Sequence, residues 1–331
     1  MKDKVILVTG ATGLLGYNLV KLLINRGGKV IALGRSEEKL IRCFNEYMGR
    51  DCFSYIASDI SGLKLSIGRP VDYIFHAAGS IELKTMVEQP MNVVNPNCLG
   101  TVSCLEFLKE QEIRSGKRGR LIFFSSEAVY GKSIKDRRVT ENDTEISDPL
   151  NVPRTPYSHS KRMGEIIANS YHRQYNTDSL SVRLGWVYGN AAIRPKQALF
   201  DFIQTALEGK DIIIRNANTP RRDNIFMKDA MEALFCVAEN GTAGEAYNIS
   251  SGGDKGNFAS PAEIAELVAD IVNEKQYTPR PVHVLYETEL TEREGGIIMD
   301  NSKLKALGWD ITTELRDGIE ILIDEVKNNV Y

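Results

Sequence analysis

The chain has 331 residues, of which 42% are hydrophobic and 26% charged. These proportions are typical of a globular protein and exclude a disordered or fibrous chain, and the length allows one large domain or two medium ones. Lysine and arginine number 41 against 44 aspartates and glutamates, a net charge of -3. The chain therefore lacks the broad positive surface of a nucleic-acid binder, and we expect no nucleic-acid partner.

No apolar run approaches the roughly 18 residues of a membrane span, so we expect no membrane partner. The N-terminal segment lacks the length and cleavage site of a signal peptide, which predicts a cytoplasmic protein. Five cysteines form no CxxC pair, a count and spacing that favour reduced thiols over a disulfide framework. The four histidines lie far apart without ligand spacing, so we expect no metal site.

Short β-rich runs alternate with helical segments through the first half of the chain. Leu15, Leu19, Leu22 and Leu23 recur at helical spacing within 14–25. Such alternation predicts an α/β fold, a doubly wound parallel sheet with helices on both faces. The predicted buried strands are Val5–Val8, Val30–Leu33, Phe53–Ala57, Tyr73–Phe75, Leu121–Phe124 and Ser181–Leu184.

The regularity fades after about residue 186, where shorter elements and loops rich in Gly, Asn and Arg follow. We therefore predict a first domain over 1–185 and a smaller C-terminal substrate-binding lobe over 186–331. The segments near 225–250 are expected to return to the first domain.

A glycine-rich turn follows the first predicted strand and leads into the first helix. Gly10 permits a tight turn, Gly13 lets the backbone approach a pyrophosphate, and Gly16 allows close packing of helix on strand. The free N–H groups of the helix N-terminus attract the anion. The loop predicts a Rossmann-type dinucleotide site made by Gly10, Thr12, Gly13, Leu14, Leu15 and Gly16.

The second predicted strand ends in Gly34-Arg35, where an NAD enzyme usually carries an acid. Arginine pairs well with a 2′-phosphate, which favours NADP over NAD, although Arg35 could also stack on adenine or point into water. Asp59 and Ile60, after the third strand, are placed to meet the adenine edge, or simply form a turn.

Tyr157 and Lys161 stand four residues apart on one face of a predicted helix. A nearby cation favours the phenolate, so the tyrosine can exchange a proton near neutral pH. The same spacing recurs at Tyr17 and Lys21, which we interpret as a surface pair. Ser126, at the carboxyl end of a predicted strand, can hydrogen-bond the same substrate oxygen as Tyr157.

With these motifs the chain resembles the extended short-chain dehydrogenase/reductase family, in its nucleotide-sugar epimerase and dehydratase branch. The resemblance runs from residue 4 to about 326 and follows the family's motif order. Besides the glycine loop and Asp59-Ile60 it comprises His76-Ala-Ala-Gly79, Asn97-Cys-Leu-Gly-Thr101, Ser125-Ser126-x-x-Val-Tyr-Gly131, Pro156-Tyr157-x-x-x-Lys161, Arg183-Leu-x-x-Val-Tyr-Gly189, Arg222-Asp223, Tyr247-Asn-Ile-Ser250 and Leu307-Gly-Trp309.

The resemblance implies roles for individual residues. Tyr157 is the implied acid/base, Ser126 orients the reacting oxygen, and Lys161 binds the nicotinamide ribose and tunes Tyr157. Asn97 lies on the central helix beside the site, or serves as a helix N-cap. The implied cofactor contacts also include Ala77, Ala78 and Gly79.

In the smaller lobe, Arg222 and Arg293 match the arginines that clamp the substrate diphosphate in this family, or are surface charges. Trp186 stands where many relatives have Asn, and is expected to stack on a sugar or to belong to the core. Dehydratases of this branch carry Thr-Asp-Glu where this chain has Ser126-Glu127-Ala128. One of the two carboxylates is missing, so Glu127 is either an assisting acid or a solvated loop residue, and dehydration is less favoured.

The sequence thus predicts an NAD(P)-dependent enzyme that transfers hydride at C4 of a nucleotide-diphosphate sugar, as a 4-epimerase or a 4-keto reductase. A 4,6-dehydratase, an NADPH-dependent reductase of a non-nucleotide carbonyl, and a catalytically inactive dinucleotide sensor remain as alternatives. The helices near 97–113 and 156–175 resemble the pair that forms the family's dimer interface. We expect a homodimer, although Leu105, Ile166 and Ile167 could also face the sheet.

Overall fold

The computed structural model describes residues 1–132, 135–193, 195, 197–289, 291 and 295–328. The elements of the first half, in chain order, are β1 (Val5–Thr9), α1 (Leu14–Asn25), β2 (Lys29–Gly34), α2 (Glu37–Phe44), β3 (Phe53–Ala57), β4 (Tyr73–His76), α3 (Leu83–Glu88), α4 (Met91–Ser115), β5 (Arg120–Ser126), β6 (Arg137–Val139), α5 (Thr155–Tyr175) and β7 (Asp178–Leu184).

The second half continues with shorter strands and fewer long helices. Its elements are β8 (Trp186–Tyr188), α6 (Ala198–Leu207), β9 (Ile212–Ile214), β10 (Arg222–Phe226), α7 (Met227–Asn240), β11 (Ala246–Ile249), β12 (Phe258–Ala259), α8 (Pro261–Glu274), β13 (Val284–Tyr286), β14 (Ile297–Met299), α9 (Ser302–Lys305) and α10 (Leu315–Asn328). Among the described residues, no helix is long and apolar enough to cross a bilayer.

Seven parallel strands form the main sheet in the order β11-β7-β5-β4-β1-β2-β3. The strand order reverses beside β1, which makes the sheet doubly wound and confirms the predicted Rossmann-type fold. All six predicted strands and the helix over 14–25 are present. The central strands are apolar runs with buried side chains on both faces because helices cover both sides.

The chain leaves this sheet after β7 and comes back to it at β11, which pairs with β7 in register Ala246↔Ser181. The intervening α7 packs its apolar face into the same core as β1 and β5. The remaining elements enclose a second apolar core between α6, α8 and α10. A smaller sheet, β12-β10-β14-β6 with β8 paired to β10, joins the two regions beside the carboxyl ends of the main strands.

Asn97 lies within α4, which begins six residues earlier at Met91, so its interpretation as a helix N-cap is wrong. Its side chain is fully buried and bonds into the site instead. Leu105 packs into the core, with Ile167 partly buried against the same cluster, whereas Ile166 is exposed. The second Tyr-x-x-x-Lys pair is confirmed on α1, where Lys21 Nζ donates to the Tyr17 hydroxyl at 3.3 Å.

Candidate active site at the carboxyl edge of the main sheet

The glycine loop joins β1 to α1 in a turn that larger residues cannot adopt. Gly10 has φ +64°, and a Cβ there would lie 2.7 Å from the Ala77 carbonyl oxygen; at Gly16 a Cβ would collide with the Gly10 carbonyl. Gly13, in contrast, is exposed, and a Cβ there would lie 3.3 Å from the Gly10 carbonyl oxygen. Thr12, Leu14 and Leu15 are half-buried around it.

The N-terminus of α1 is free to bind an anion. Among the described residues no side chain caps it, and its first turn carries no acidic residue. The unpaired N–H groups of the first turn and the positive end of the helix dipole therefore lie beside the exposed Gly13. This cradle fits the pyrophosphate of a dinucleotide.

Arg35 and Asp59 follow the ends of β2 and β3, close enough for the charge of Arg35 to act on Asp59. Both are exposed, while Ile60 is buried beneath them. Partial burial raises the pKa of Asp59, but hydrogen bonds from Ser61 and the charge of Arg35 outweigh it and lower the pKa overall. The pair thus offers an anionic and a cationic group where the sequence predicts the adenosine end of the cofactor.

Gly79, Asn97 and Lys161 converge behind the site. A Cβ on Gly79 would lie 3.0 Å from Asn97 Oδ1 and 3.5 Å from Lys161 Nζ. The Asn97 amide nitrogen donates to the Val93 carbonyl and to Ser160 Oγ at 2.8 Å. Its Oδ1 is buried without a hydrogen-bond partner among the described residues, so it awaits a donor such as a ribose hydroxyl.

Lys161 is buried on α5, and its ammonium donates to the Phe124 carbonyl at 2.6 Å. Burial lowers the pKa of Lys161 to about 7, although the neighbouring Cys98 and Glu165 raise it. Its hydrogen bond to Phe124 leaves the Lys161 ammonium with further N–H groups, which can donate to a ribose hydroxyl. With the orphaned Asn97 oxygen and the glycine cradle, these residues fit a nicotinamide dinucleotide.

Tyr157 and Ser126 bring a phenol and an alcohol together above the end of β5. Ser126 also caps the following turn, since its Oγ accepts from the Ala128 N–H at 3.2 Å. Burial raises the pKa of Tyr157, the hydrogen bond with Ser126 lowers it, Glu127 raises it, and Arg154 lowers it. Overall the pKa of Tyr157 is raised, so the prediction that the Lys161 cation favours the phenolate is wrong: burial dominates. Lys161 Nζ lies 5.8 Å from the centre of the tyrosine ring.

A buried network holds these motifs in register. Arg183 on β7 binds Glu165 through Nε–Oε1 at 2.9 Å and Nη2–Oε2 at 2.7 Å, and donates to the Tyr130 hydroxyl at 2.9 Å. Ser125 donates to the same glutamate. Glu165, partly buried on α5, was not predicted from the sequence, because a charged side chain of this kind is identified only by the partner that it contacts.

The substrate side of the cleft contains Glu127, Trp186 and Arg222. Glu127 accepts a hydrogen bond from the Trp186 indole at 2.5 Å, so it is not a solvated loop residue. Trp186 is 37% exposed and is no core residue; Trp309 fills that role. The Arg222 guanidinium lies over the Trp186 ring, 3.5 Å from its centre. Arg293 lies outside the described residues.

Arg154 is a second cleft arginine that sequence analysis missed. It precedes α5 and pairs with Asp148, whose side chain is fully buried, at 2.7 Å between Nε and Oδ2. Its charge acts on Tyr157, Glu127 and Arg222. Its position three residues before Tyr157 was the available signal. No group of three potential metal ligands occurs in the described part of the chain.

Comparisons with known proteins agree with this architecture. The model of the NAD dependent epimerase/dehydratase family matches residues 6–250. The low-salt glycan biosynthesis protein Agl12 of Haloferax volcanii is 26% identical over 96% of this chain and 97% of its own. The NAD complex of dTDP-glucose 4,6-dehydratase from Bacillus anthracis superposes with TM-score 0.79 at 21% identity, covering 99% of this chain and 97% of that one.

UDP-glucuronic acid 4-epimerase from Bacillus cereus, solved with UDP-glucuronic acid and NAD, superposes with TM-score 0.76 at 24% identity, covering 98% of this chain and 99% of that one. Relatives of the same fold thus include both dehydratases and epimerases. The family match spans well over half of the chain and contains the glycine loop, Ser126, Tyr157 and Lys161. The chain belongs to the NAD-dependent epimerase/dehydratase family, enzymes of the extended short-chain dehydrogenase/reductase type.

Proposed function

We propose that this enzyme transfers hydride at C4 of the hexose in a nucleotide-diphosphate sugar, as a 4-epimerase or a 4-keto reductase. The observation that carries the proposal is the Tyr157–Ser126 pair at the carboxyl edge of the sheet, with Lys161 and the orphaned Asn97 oxygen behind it. A phenol and an alcohol that can both hydrogen-bond the same substrate oxygen suit the interconversion of a secondary alcohol and a ketone.

The protein's own groups divide the work. Tyr157 takes the proton of the sugar hydroxyl or returns it to the ketone, and Ser126 holds that oxygen in place. Lys161 and Asn97 hold the ribose, and the cradle at Gly13 holds the pyrophosphate. When bound, the nicotinamide supplies the hydride acceptor or donor.

Arg222 supports a diphosphate substrate. It is largely buried in the cleft, and burial lowers its pKa while Glu127 raises it and Arg154 lowers it. A desolvated guanidinium beside a second one gains most from a dianionic partner. We assign Arg293 to the same diphosphate from the family pattern alone.

The dehydratase alternative stays open because dehydratases are among the relatives. Ala128 is buried and carries no carboxyl group, so Glu127 is the one acid of that motif in this cleft. A 4,6-dehydration needs proton removal and water loss at neighbouring carbons, for which the Ser126-Glu127-Ala128 motif provides one carboxyl group rather than two. This observation favours chemistry confined to C4.

Two observations favour different cofactors, one NADP and the other NAD. Arg35 at the end of β2 is exposed and favours a 2′-phosphate. The family description and the NAD complexes among its relatives favour NAD. We propose NADP as the form that Arg35 supports, with NAD as the alternative.

The test is to identify any dinucleotide released from the denatured protein, and then to assay UDP- and dTDP-hexoses by mass spectrometry and NMR. Inverted C4 configuration at unchanged mass supports the epimerase, and NADPH consumed on 4-keto-6-deoxy sugars supports the reductase. Loss of one water supports the dehydratase and overturns C4-only chemistry. Turnover only of non-nucleotide carbonyls overturns the substrate class.

We also propose a homodimer through the faces of α3, α4 and α5. An apolar groove of about 780 Å³ runs between them and the loop before α5. Exposed apolar side chains line it: Val87, Met91, Leu150 and Met163. Monomers seldom expose such a patch, and a two-fold axis would let it cover itself.

Light scattering coupled to gel filtration tests the dimer. Met91→Glu with Met163→Glu places charges in the groove and should yield monomers. Ile213→Glu, at an exposed apolar position on β9, is the matched control and should leave the assembly unchanged. A wild-type monomer at micromolar concentration contradicts the proposal.

A further inference from the structure

Trp186 joins the two substrate-facing charges of the cleft into one assembly, here called the Trp186 bridge: Glu127, Trp186 and Arg222. The indole N–H donates to Glu127 Oε1 at 2.5 Å, and the guanidinium carbon of Arg222 lies over the ring, 3.5 Å from its centre. Trp186 opens β8, whose pairing Asn224↔Trp186 with β10 fixes it beside Arg222.

The bridge adds little to the core. The Trp186 side chain is 37% exposed, whereas the chain's other tryptophan, Trp309, is 7% exposed and bonds the Asp229 carbonyl. The exposed indole binds Glu127 through its N–H and Arg222 on its ring face. We therefore expect Trp186 to act in the cleft rather than in the core.

The indole also decides which oxygen of Glu127 can act. An indole N–H only donates, so Oε1 accepts, and because the carbonyl oxygen of a neutral carboxyl group is the better acceptor, this bond favours the proton of a neutral Glu127 on Oε2. In the part of the chain that the structure describes, the indole is the one hydrogen-bond donor to this carboxyl group. Burial raises the pKa of Glu127, opposed by the Trp186 bond and by Arg222 and Arg154.

We propose that Trp186 is a positioning residue that presents Glu127 Oε2 to the sugar beside Tyr157 and holds Arg222 ready for the diphosphate. Where many relatives have an Asn that contacts the substrate directly, Trp186 thus positions two other residues that contact it, Glu127 and Arg222. This inference rests on the proposed substrate class for its kinetic consequences, but the Trp186–Glu127 contact itself is independent of any turnover.

The contact can be tested by fluorescence because the chain has only two tryptophans. In Trp309→Phe the emission reports Trp186 alone, and in a pH titration we expect it to change as Glu127 titrates, above the ordinary range of a glutamate. Adding Glu127→Gln should remove most of that change. The other charged or titratable groups that face Glu127 are Tyr157, Arg154, Arg222 and Asp223. An equal pH response with Gln at 127 assigns it to one of these and overturns the contact.

Trp309 is buried, so its variant could fail to fold. The difference between wild-type and Trp186→Phe spectra then isolates the same signal, since Trp309 is common to both. A difference spectrum that is independent of pH, or unchanged when Glu127→Gln is added to both proteins, overturns the proposal equally.

The Arg222 arm is tested by nucleotide binding. Trp186→Phe keeps a ring under the guanidinium, whereas Trp186→Leu removes it. We expect the Kd for UDP or dTDP to rise about 10-fold in the leucine variant and less than threefold in the phenylalanine variant. Equal Kd values in all three proteins overturn this arm, even if no sugar substrate has been identified.

Turnover completes the test once a substrate is known. Trp186→Phe should lower kcat about 10-fold with little change in KM, and should have no further effect when Glu127 is already Gln. Independent, multiplicative losses overturn the positioning role. Absence of turnover on every nucleotide sugar overturns the proposed function but leaves the fluorescence result standing.

Discussion

The two sides of the cleft are built by different means. On the glycine-loop side, backbone conformation does the work: Gly10 and Gly16 are fixed by contacts that a single Cβ would break, and Lys161 is anchored to a strand carbonyl. On the substrate side, long side chains from three separated segments meet, namely Arg154, Trp186 and Arg222. The first side therefore suits a constant ligand, and the second can change its ligand by exchange of a few side chains.

The largest effect should come from Tyr157, where both sides meet. Tyr157→Phe removes the one phenolic hydroxyl bonded to Ser126 while keeping the ring, so turnover should fall about 10³-fold. Dinucleotide binding should persist, since Lys161 and Asn97 are untouched. Tyr17→Phe, in the second Tyr-x-x-x-Lys pair on α1, is the matched control and should retain activity. Comparable losses in both variants would remove Tyr157 from the chemistry.

Gly16→Ala tests the close backbone packing of the glycine-loop side. The added Cβ collides with the Gly10 carbonyl and with the Ala11 backbone, so we expect a loss of about 1–3 kcal/mol in unfolding free energy and weaker binding of dinucleotide. Thermal unfolding and NADH or NADPH titration measure the two effects. Gly68→Ala is the control, because nothing lies within 4 Å of its Cβ and its φ is not positive. Equal changes in both variants would contradict the close-packing argument.

His76 holds the glycine-loop side together through a buried chain of hydrogen bonds. Its Nε2 lies 3.0 Å from the Pro96 carbonyl oxygen, which only accepts, so Nε2 carries the proton and Nδ1 accepts from Thr9 Oγ1 at 2.7 Å. The Ala78 N–H in turn donates to Thr9 at 3.3 Å. This chain fixes the loop at Ala77 and Ala78 against α4.

Burial and the Lys161 charge lower the pKa of His76 to about 3, despite the bond to Pro96. The unfolded chain binds a proton near pH 6.5 and the folded protein only near 3, so stability is lost as pH falls through that window. We expect ~2 kcal/mol less stability at pH 5 from this residue. Urea unfolding at pH 7.5 and 5 should show a smaller acid loss in His76→Gln, and no such relief in the exposed His283→Gln.

The sequence was sufficient for the side that depends on backbone. Glycines at positive φ and apolar strand runs leave a local signal, which is why the sheet, the helix at 14–25 and the glycine loop were predicted correctly. Asn97 was placed on the right helix, but its N-cap interpretation failed because the start of α4 at Met91 carries no capping side chain. Glu165 and the Trp186 bridge depend on contacts between distant segments, which no local pattern encodes; for Arg154 its position three residues before Tyr157 was the only local signal.

The smallest expected effect concerns Arg35, a single exposed side chain on the glycine-loop side. If it binds a 2′-phosphate, Arg35→Ser should weaken NADPH binding about 10-fold and leave NADH nearly unchanged, because only the phosphate loses a charge-assisted bond. Arg42→Ser, at an exposed position on the neighbouring α2, controls for the loss of positive charge. Equal losses for both dinucleotides would mean that Arg35 contacts adenine instead. A protein purified with stoichiometric NAD would exclude the 2′-phosphate role of Arg35.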